Sequence, residues 1–325
     1  MQNAHRWTSG KRRALIAAGL LVALAYVGVA LMTDSARLSE ALWQLGARGC
    51  AAVLGLSVLN YLLRFWRWQS FLARLGRTLP IGRHLLVYLS GFAFTVSPAK
   101  AGEAVRSLYL RDHGVTYGES IAALFIERLL DLFAIVILAS MVAIDHAAYR
   151  PLLGATVVAI AAVLIGVCQP WVPVWLEGLA ARRSGRIVRP LGALASLLRS
   201  SRRLLQPLPL LTGITLGLLA WAAEGVGFRF VCAGLDIEGS LTTFVGIYAL
   251  AVLAGNAAFF MPAGIGGMEI VMTTLLVERG ATLRVAIIAT LLCRLATLWF
   301  AVIIGVAAAA GVELSTRPLR AEVAP

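Results

Sequence analysis

The chain has 325 residues, of which 60% are hydrophobic and 14% are charged, and its formal net charge is +13. Soluble globular proteins carry about 25% charged residues, so this composition argues against a water-soluble enzyme or binding domain. Three long stretches, 14–32, 152–176 and 240–268, hold no charged residue. Mainly apolar runs of about 18 or more residues can cross a bilayer, which predicts an integral membrane protein.

Six apolar segments are long enough to span the bilayer core as helices. In chain order we predict spans at 14–32, 48–68, 118–143, 152–172, 209–233 and 282–310. The first of them follows a basic N-terminus. It is longer than the apolar core of a signal peptide, so we interpret it as an uncleaved helix.

Two further apolar segments, 85–97 and 242–261, run into Pro98 and Pro262 respectively, each followed by a stretch with glycines. At about 1.5 Å per residue the first of these segments is too short to cross. Both are typical of the inbound arm of a re-entrant hairpin. Such broken backbone is tolerated at membrane depth where protein or a water-filled cavity surrounds it.

Loop charges predict the orientation. With both hairpins returning to the side they entered, 21 Lys and Arg residues fall on the side of the N-terminus and five on the other. Positive loops stay in the cytoplasm, so we expect six crossings of a bacterial inner membrane with both termini cytoplasmic. Eight crossings would place the basic segment 98–117 outside. The basic, amphipathic segment 178–207 is either a helix on the inner membrane surface or a solvated linker.

The two halves of the chain repeat one spacing. In each half a glutamate is followed 25 residues later by an arginine within an apolar helix: Glu103 by Arg128, and Glu269 by Arg294. Upstream, a polar residue precedes the hairpin proline by 38 residues in both halves, Asn60 in the first and Glu224 in the second.

With the predicted topology the first hairpin enters from inside and the second from outside. This relation is an inverted repeat, which in transporters places the substrate site at the repeat interface. We therefore predict an all-α, polytopic membrane protein with about six spanning helices and two re-entrant hairpins. The chain forms a single domain, 1–325, with repeats at about 48–143 and 209–310 and a basic cytoplasmic linker at 173–207.

Charged groups at membrane depth are costly, normally paired and often functional. Arginine also suits phosphate, because its planar fork can bind two oxygens. The residues that we expect to line a lipid path or its gates are Pro98, Lys100, Glu103, Arg106, Glu127, Arg128, Asp131, Pro262, Glu269 and Arg294. The alternative is that the charged residues are structural ion pairs that close each hairpin against the helix after it.

The aromatic and basic stretch around Arg64 and Arg67 ends a predicted span on the inner side. It is typical of an interfacial anchor, and contact with lipid headgroups is the other interpretation. No phosphate-binding loop, GxSxG or HExxH motif is present, and the four histidines lie far apart in sequence. We expect no catalytic residues, no metal site and no cofactor.

The motifs SPAKAGEAVRSLYLRDHG, ERLLD, MPAGIGGMEIVMTTLL and CRLATLW resemble the lysylphosphatidylglycerol synthase transmembrane family of flippase-like proteins, over roughly residues 10–310. The resemblance implies movement of lipid between leaflets, while the synthase activity of fused members belongs to an added soluble domain. Lys100 departs from the pattern, since an arginine is expected between the proline and the glutamate.

The leading hypothesis is a lipid flippase or transporter for a phospholipid or related polar lipid of the inner membrane. One rival is a membrane-embedded enzyme acting on lipid headgroups, and another is a non-catalytic partner of a lipid-synthesis enzyme. Nucleic acid is not an expected partner, because the basic residues lie between apolar spans.

The orientation is testable by cysteine labelling of intact cells. A cysteine placed within 182–203 is expected to be shielded from a membrane-impermeant thiol reagent, because the positive loops stay inside. A cysteine at 145–150 is expected to react, and the reverse pattern would refute both the orientation and the inverted repeat.

Overall fold

The computed structural model describes residues 9–97, 103–111, 113–143, 146–182, 188–258, 261 and 264–316, with the backbone alone for 9–38, 189 and 315–316. No strand occurs within these ranges. The helices are α1 (Ser9–Arg74), α2 (Ile81–Ser90), α3 (Arg106–Arg111), α4 (Tyr117–Ala143), α5 (Arg150–Cys168), α6 (Trp171–Ala181), α7 (Val188–Leu204), α8 (Pro207–Ala233), α9 (Leu241–Ala257), α10 (Gly267–Glu278), α11 (Leu283–Arg294) and α12 (Phe300–Thr316).

Several helices have the length and composition of membrane spans. Among the described residues these are Ser39–Arg74, Ala147–Cys168, Pro207–Ala233 and Leu283–Leu314. With 27 residues, α4 is as long as α8, but it carries charged residues in its middle. The chain is therefore a multi-pass membrane protein, and the predicted count of about six spans stays a prediction.

The predicted spans 14–32 and 48–68 are not separated by a loop, because both lie in α1. The segment between them contains no proline and is rich in good helix formers, so local propensity does not end the helix there. Gly46, with φ at 65°, has a left-handed backbone conformation within α1 that glycine adopts without steric cost.

The expected hairpin arms are short helices. The first is α2, which continues into a 3₁₀ turn at Gly91–Phe94, and the second is α9. Each precedes another short helix, α3 or α10. The tip residues Pro98, Lys100 and Pro262 lie outside the described residues.

Helix packing relates the two halves. The most extensive pair is α1 with α8, and the last helix of each half packs on the first hairpin arm of the other: α4 on α9, and α12 on α2 and its 3₁₀ turn. A pseudo-two-fold relation would produce this exchange of partners, although the inverted repeat itself stays a prediction.

The start of α4 is fixed by a capping box. The Thr116 backbone N–H donates to the Glu119 carboxylate at 2.8 Å, and the Glu119 N–H donates to the Thr116 hydroxyl at 3.3 Å. Arg77, between α1 and α2, donates to the same carboxylate at 3.1 Å. The loop ahead of α4 is thereby tied to the end of α1.

The basic segment 178–207 is largely helix α7, which packs on α4 and α6. It buries Ala195, Ser201 and Leu204. The segment is therefore a packed helical element, and its place relative to the membrane stays a prediction.

Substitution of Gly305 tests how closely α12 approaches the first hairpin arm. A Cβ at this position would lie 2.2 Å from the backbone nitrogen of Ala93, so Gly305→Ala forces the two elements apart. We expect a loss of roughly 1–3 kcal/mol, as for overpacked cores. The measurement is the unfolding temperature of the purified protein in detergent.

Gly311→Ala is the matched control, since its Cβ would meet Leu86 at an ordinary 3.8 Å in the same helix. It should be neutral or slightly stabilising, because alanine favours helix over glycine. Equal unfolding temperatures for the two variants would contradict the close approach.

Candidate functional site

A cavity of about 480 Å³ lies between the two halves. The first half contributes residues from α1, the 3₁₀ turn, α4 and α5, and the second half contributes residues from α8 to α12. Its polar lining includes Tyr61, Arg64, Thr95, Glu103, Arg128, Asp131, Trp221, Glu224, Tyr248, Asn256, Arg294 and Thr297. The other lining residues are mostly apolar, as in ligand sites where a few polar groups set orientation.

Two carboxylates of α4, Glu127 and Asp131, organise the charged side chains of the first half. They are one helical turn apart and share a face. Glu127 accepts from Arg106 at 2.7 Å and from the Tyr88 hydroxyl at 2.9 Å. Asp131 accepts from Arg67 at 2.5 Å and from the Trp221 indole at 3.0 Å. The pairing thus joins α1, α2, α3, α4 and α8.

Arg67 reaches this cluster because α8 presents glycine to it. A Cβ on Gly217 would lie 2.8 Å from an Arg67 guanidinium nitrogen. The Arg67 side chain is fully buried. Because an isolated buried charge is expensive, the fit depends on the Asp131 partner being present.

The side chains of Arg64 and Arg67 are not the exposed interfacial anchors that the sequence predicts, because they form ion pairs inside the protein. Arg64 is also buried, with one guanidinium nitrogen 3.5 Å from Glu127 and 3.7 Å from Asp131. Trp66, by contrast, is half exposed and remains compatible with an anchor. Ion pairing with α4 outweighs the position of the two arginines near the end of α1.

The structure brings together Glu103 and Arg128, as the 25-residue interval suggests. An Arg128 nitrogen donates to the Glu103 carboxylate at 3.0 Å, and the Thr95 hydroxyl donates to the same carboxylate at 3.0 Å. Arg106 lies 3.7 Å from Glu103 as well. Arg128 keeps 25% of its side chain exposed and lines the cavity.

The corresponding pair of the second half is present too. The Arg294 Nε donates to Glu269 at 2.7 Å, and Glu269 also accepts from the backbone N–H of Gly266 ahead of α10 at 2.8 Å. Arg294 lines the cavity and is 6% exposed, whereas Glu269 is 20% exposed, so in this pair the carboxylate is the more accessible partner, the reverse of the first pair.

A π-helical turn, Leu295–Trp299, follows Arg294 directly. The widened turn faces α1: the Ser57 hydroxyl donates to the Ala296 carbonyl and the Tyr61 hydroxyl to the Thr297 carbonyl, both at 3.0 Å. Turns of this type occur frequently at functional sites. No pattern in the sequence marks it.

The predicted site residues divide into two groups. The first group lines the cavity and consists of Glu103, Arg128, Asp131, Arg294 and also Arg64. The second group forms ion pairs outside the cavity lining and consists of Arg67, Arg106, Glu127 and Glu269.

The sequence analysis did not predict the aromatic part of the lining, which comes from Tyr61, Trp221 and Tyr248, because aromatic residues in an apolar helix give no separate signal. Among the described residues, no group of His, Cys, Asp or Glu could hold a metal ion.

The Glu103–Arg128 pair is testable by stability. Arg128→Ala leaves a buried carboxylate without its main partner and should cost about 3–5 kcal/mol. The double variant Arg128→Leu with Glu103→Leu should regain much of this stability, because both members of the pair are removed while Arg106, Glu127 and Asp131 keep their shorter ion pairs. Unfolding in detergent measures both, with the exposed Arg284→Ala as control. A double variant as unstable as the single one would contradict the coupling.

Comparisons with known proteins agree with the family resemblance of the sequence motifs. A family model for the lysylphosphatidylglycerol synthase TM region matches residues 16–305, which confirms the resemblance in the sequence motifs. The chain is also 34% identical over 142 residues to the protein named Glycosyltransferase AglD of Haloferax volcanii. That match covers 42% of this chain and 22% of the relative, so it spans about a fifth of the relative's length. With the family model covering most of its length, the chain belongs to the lysylphosphatidylglycerol synthase transmembrane-region family.

Proposed function

We propose that the protein moves a phospholipid or related polar lipid between the leaflets of a bacterial inner membrane, with the headgroup passing through the cavity. The observation that carries the proposal is a cavity between the two halves that holds three arginines, Arg64, Arg128 and Arg294, within a multi-pass membrane protein. Family membership and a relative named as a glycosyltransferase both support a role connected with membrane lipids.

A lipid that changes leaflet must carry its polar headgroup across about 30 Å of hydrocarbon. The lining lowers the cost of this step, because its charged and hydroxyl groups replace part of the water lost by the headgroup. The acyl chains need no such replacement and can remain in the bilayer. A volume of about 480 Å³ is within the range of small-molecule sites.

The two hairpin ion pairs are suited to act as gates. Glu103 with Arg128 closes the first hairpin against α4, and Glu269 with Arg294 closes the second against α11. If the halves form an inverted repeat, these gates lie at opposite ends of the path and open alternately. The two interpretations of these ion pairs, as structural contacts and as gates, are compatible, since a gate must be stable when closed.

The proposed orientation keeps both termini in the cytoplasm. Arg64, Arg67 and Arg106 are buried and no longer count as loop charges. On the six predicted crossings the imbalance persists without them, because the N-terminus and 173–207 alone hold 11 Lys and Arg residues against five on the other side. This count requires α1 to change direction between the predicted spans 14–32 and 48–68.

A second candidate is a membrane partner of a lipid-synthesis enzyme. The family is described through a synthase, and the relative is named as a transferase. A chain of this kind would hold or deliver lipid for an enzyme elsewhere, and the same cavity would bind the headgroup. Transport by the purified protein alone distinguishes this role from that of a flippase.

The test uses vesicles reconstituted with purified protein and a fluorescent phospholipid whose outer-leaflet copies are quenched by dithionite. Parent protein should raise the quenched fraction above half as inner-leaflet lipid exchanges outward. Glu103→Gln and Glu269→Gln should each slow exchange about tenfold or more, because each replaces a charge-assisted bond at a gate.

Glu238→Gln is the matched control, since Glu238 is exposed in the turn before α9. It should exchange lipid at the parent rate. Parent-rate exchange by folded Glu103→Gln and Glu269→Gln variants would contradict the gate assignment. Absence of exchange by folded parent protein would favour the partner role.

A further inference from the structure

The helices α6 and α7 take no part in the proposed lipid path, because the cavity lining comes from other helices. They connect two segments that have the length and composition of membrane spans. Helix α6 begins at Trp171, just after the span Ala147–Cys168, and α7 ends at Leu204, just before the span Pro207–Ala233. With 11 residues α6 is too short to cross the bilayer, and α7 carries four arginines. The connection therefore stays at one boundary of the membrane.

Packing of α7 on α4 fixes the same level independently. A Cβ on Gly118, the second residue of α4, would lie 3.0 Å from the Ser196 hydroxyl oxygen of α7. On the same helix Ala195 and Leu204 are fully buried. Consecutive helices α4 and α5 pack on each other, so the start of α4 lies on the side where α5 ends. Thus α7 is held level with three helix ends, those of α4, α5 and α8.

Helix α6 presents a large apolar face that the protein does not cover. Trp171, Val174 and Trp175 are 60%, 65% and 57% exposed. Intervals of three and four residues place them on one face of the helix, while Pro173 and Leu176 are buried. Tryptophan is enriched where membrane meets water, because its ring is apolar and its N–H needs a polar partner. The exposed face of α6 therefore matches the boundary between acyl chains and headgroups.

The residues that follow supply positive charge without acidic neighbours. The segment 178–207 contains seven arginines and no Asp or Glu. Arg199 of α7 pairs with Glu177 of α6, which ties the two helices together. Arg182 and Arg203 are exposed and form no ion pair with any carboxylate of the described residues. Because a guanidinium fork can bind two phosphate oxygens, these arginines complement anionic lipid headgroups.

We propose that α6 and α7 together form a surface that binds anionic phospholipid headgroups at the membrane boundary. The tryptophan face of α6 lies among the headgroups and the upper acyl chains, and the arginines of both helices contact lipid phosphates. A basic amphipathic element in the plane of the interface is stabilised by both contributions. An acidic soluble protein would satisfy the arginines alone and leave the apolar face of α6 in water. The proposal does not depend on lipid transport, since this surface lies outside the cavity.

Quenching of tryptophan fluorescence by brominated lipids measures which lipid contacts α6. The full-length protein is reconstituted into phosphatidylcholine vesicles in which a minor part of the lipid is brominated in its chains, as either phosphatidylglycerol or phosphatidylcholine. The difference in quenching between the parent protein and the variant Trp171→Phe with Trp175→Phe isolates the signal of α6. This signal should be quenched more strongly by brominated phosphatidylglycerol than by brominated phosphatidylcholine at equal content.

The arginine variant Arg182→Gln with Arg203→Gln should lower this preference several-fold, because each arginine near an anionic surface contributes roughly fivefold. Salt at about 1 M should lower it as well, since exposed charges are screened. The matched control is Arg284→Gln, which removes an exposed arginine at the start of α11 and should keep the parent preference. Unfolding temperatures equal to the parent value check that each variant is folded.

Equal quenching by the two brominated lipids, or an unchanged preference in the folded arginine variant, would overturn the headgroup role. Equal quenching of the parent and of the tryptophan variant would show that α6 does not contact lipid. That result would overturn the proposal too, and it would assign the arginines to an acidic soluble partner. Leaflet exchange is measured separately by the dithionite assay, so lipid transport stands or falls independently of these outcomes.

Discussion

The pairing of arginines with the α4 carboxylates is the interaction on which the rest of the structure depends. Removing one partner of a buried ion pair costs about 3–5 kcal/mol, so none of these buried groups is stable alone. Glu127 and Asp131 receive guanidinium groups from α1 and α3 and an indole from α8. Since each partner comes from a different element, forming the pairs assembles the first half and joins it to the second.

The charged residues of the first half differ in burial, and they form an enclosed layer that holds the helices together and a second layer that faces the cavity. Arg67, Arg106 and Glu127 are almost fully enclosed and hold the helices together. Arg64 and Arg128 pack on this support and also face the cavity, where Arg128 remains partly exposed. A rigid inner layer that orients an outer layer is the arrangement that precise binding of a charged group requires.

The two halves share a plan but differ in how each is stabilised. The first uses several arginines and aromatic rings, with the Arg106 guanidinium 4.0 Å from the Trp68 ring centre. Among the described residues, the second uses Arg294, which is followed by a π-helical turn that bonds with α1, and Arg229, whose guanidinium lies 5.4 Å from the Phe244 ring centre. Equal spacing in the sequence therefore coexists with different charged residues in the two halves of the cavity lining.

The sequence alone determined the class of protein, most of the helical segments and the two glutamate–arginine intervals, but it divided α1 into two spans. The length of an apolar segment and its lack of charged residues are local properties of the sequence. Composition and periodicity therefore predict α4, α8 and the α11–α12 segment. The interval of 25 residues also indicated which charges meet, because an isolated charge in an apolar helix needs a partner.

The tertiary structure decided what depends on packing between distant segments. It placed Arg64 and Arg67 in the interior, because carboxylates one turn apart on α4 stabilise them there better than the membrane surface could. It also brought Tyr61, Trp221, Glu224 and Tyr248 to one cavity, and no local pattern encodes that meeting.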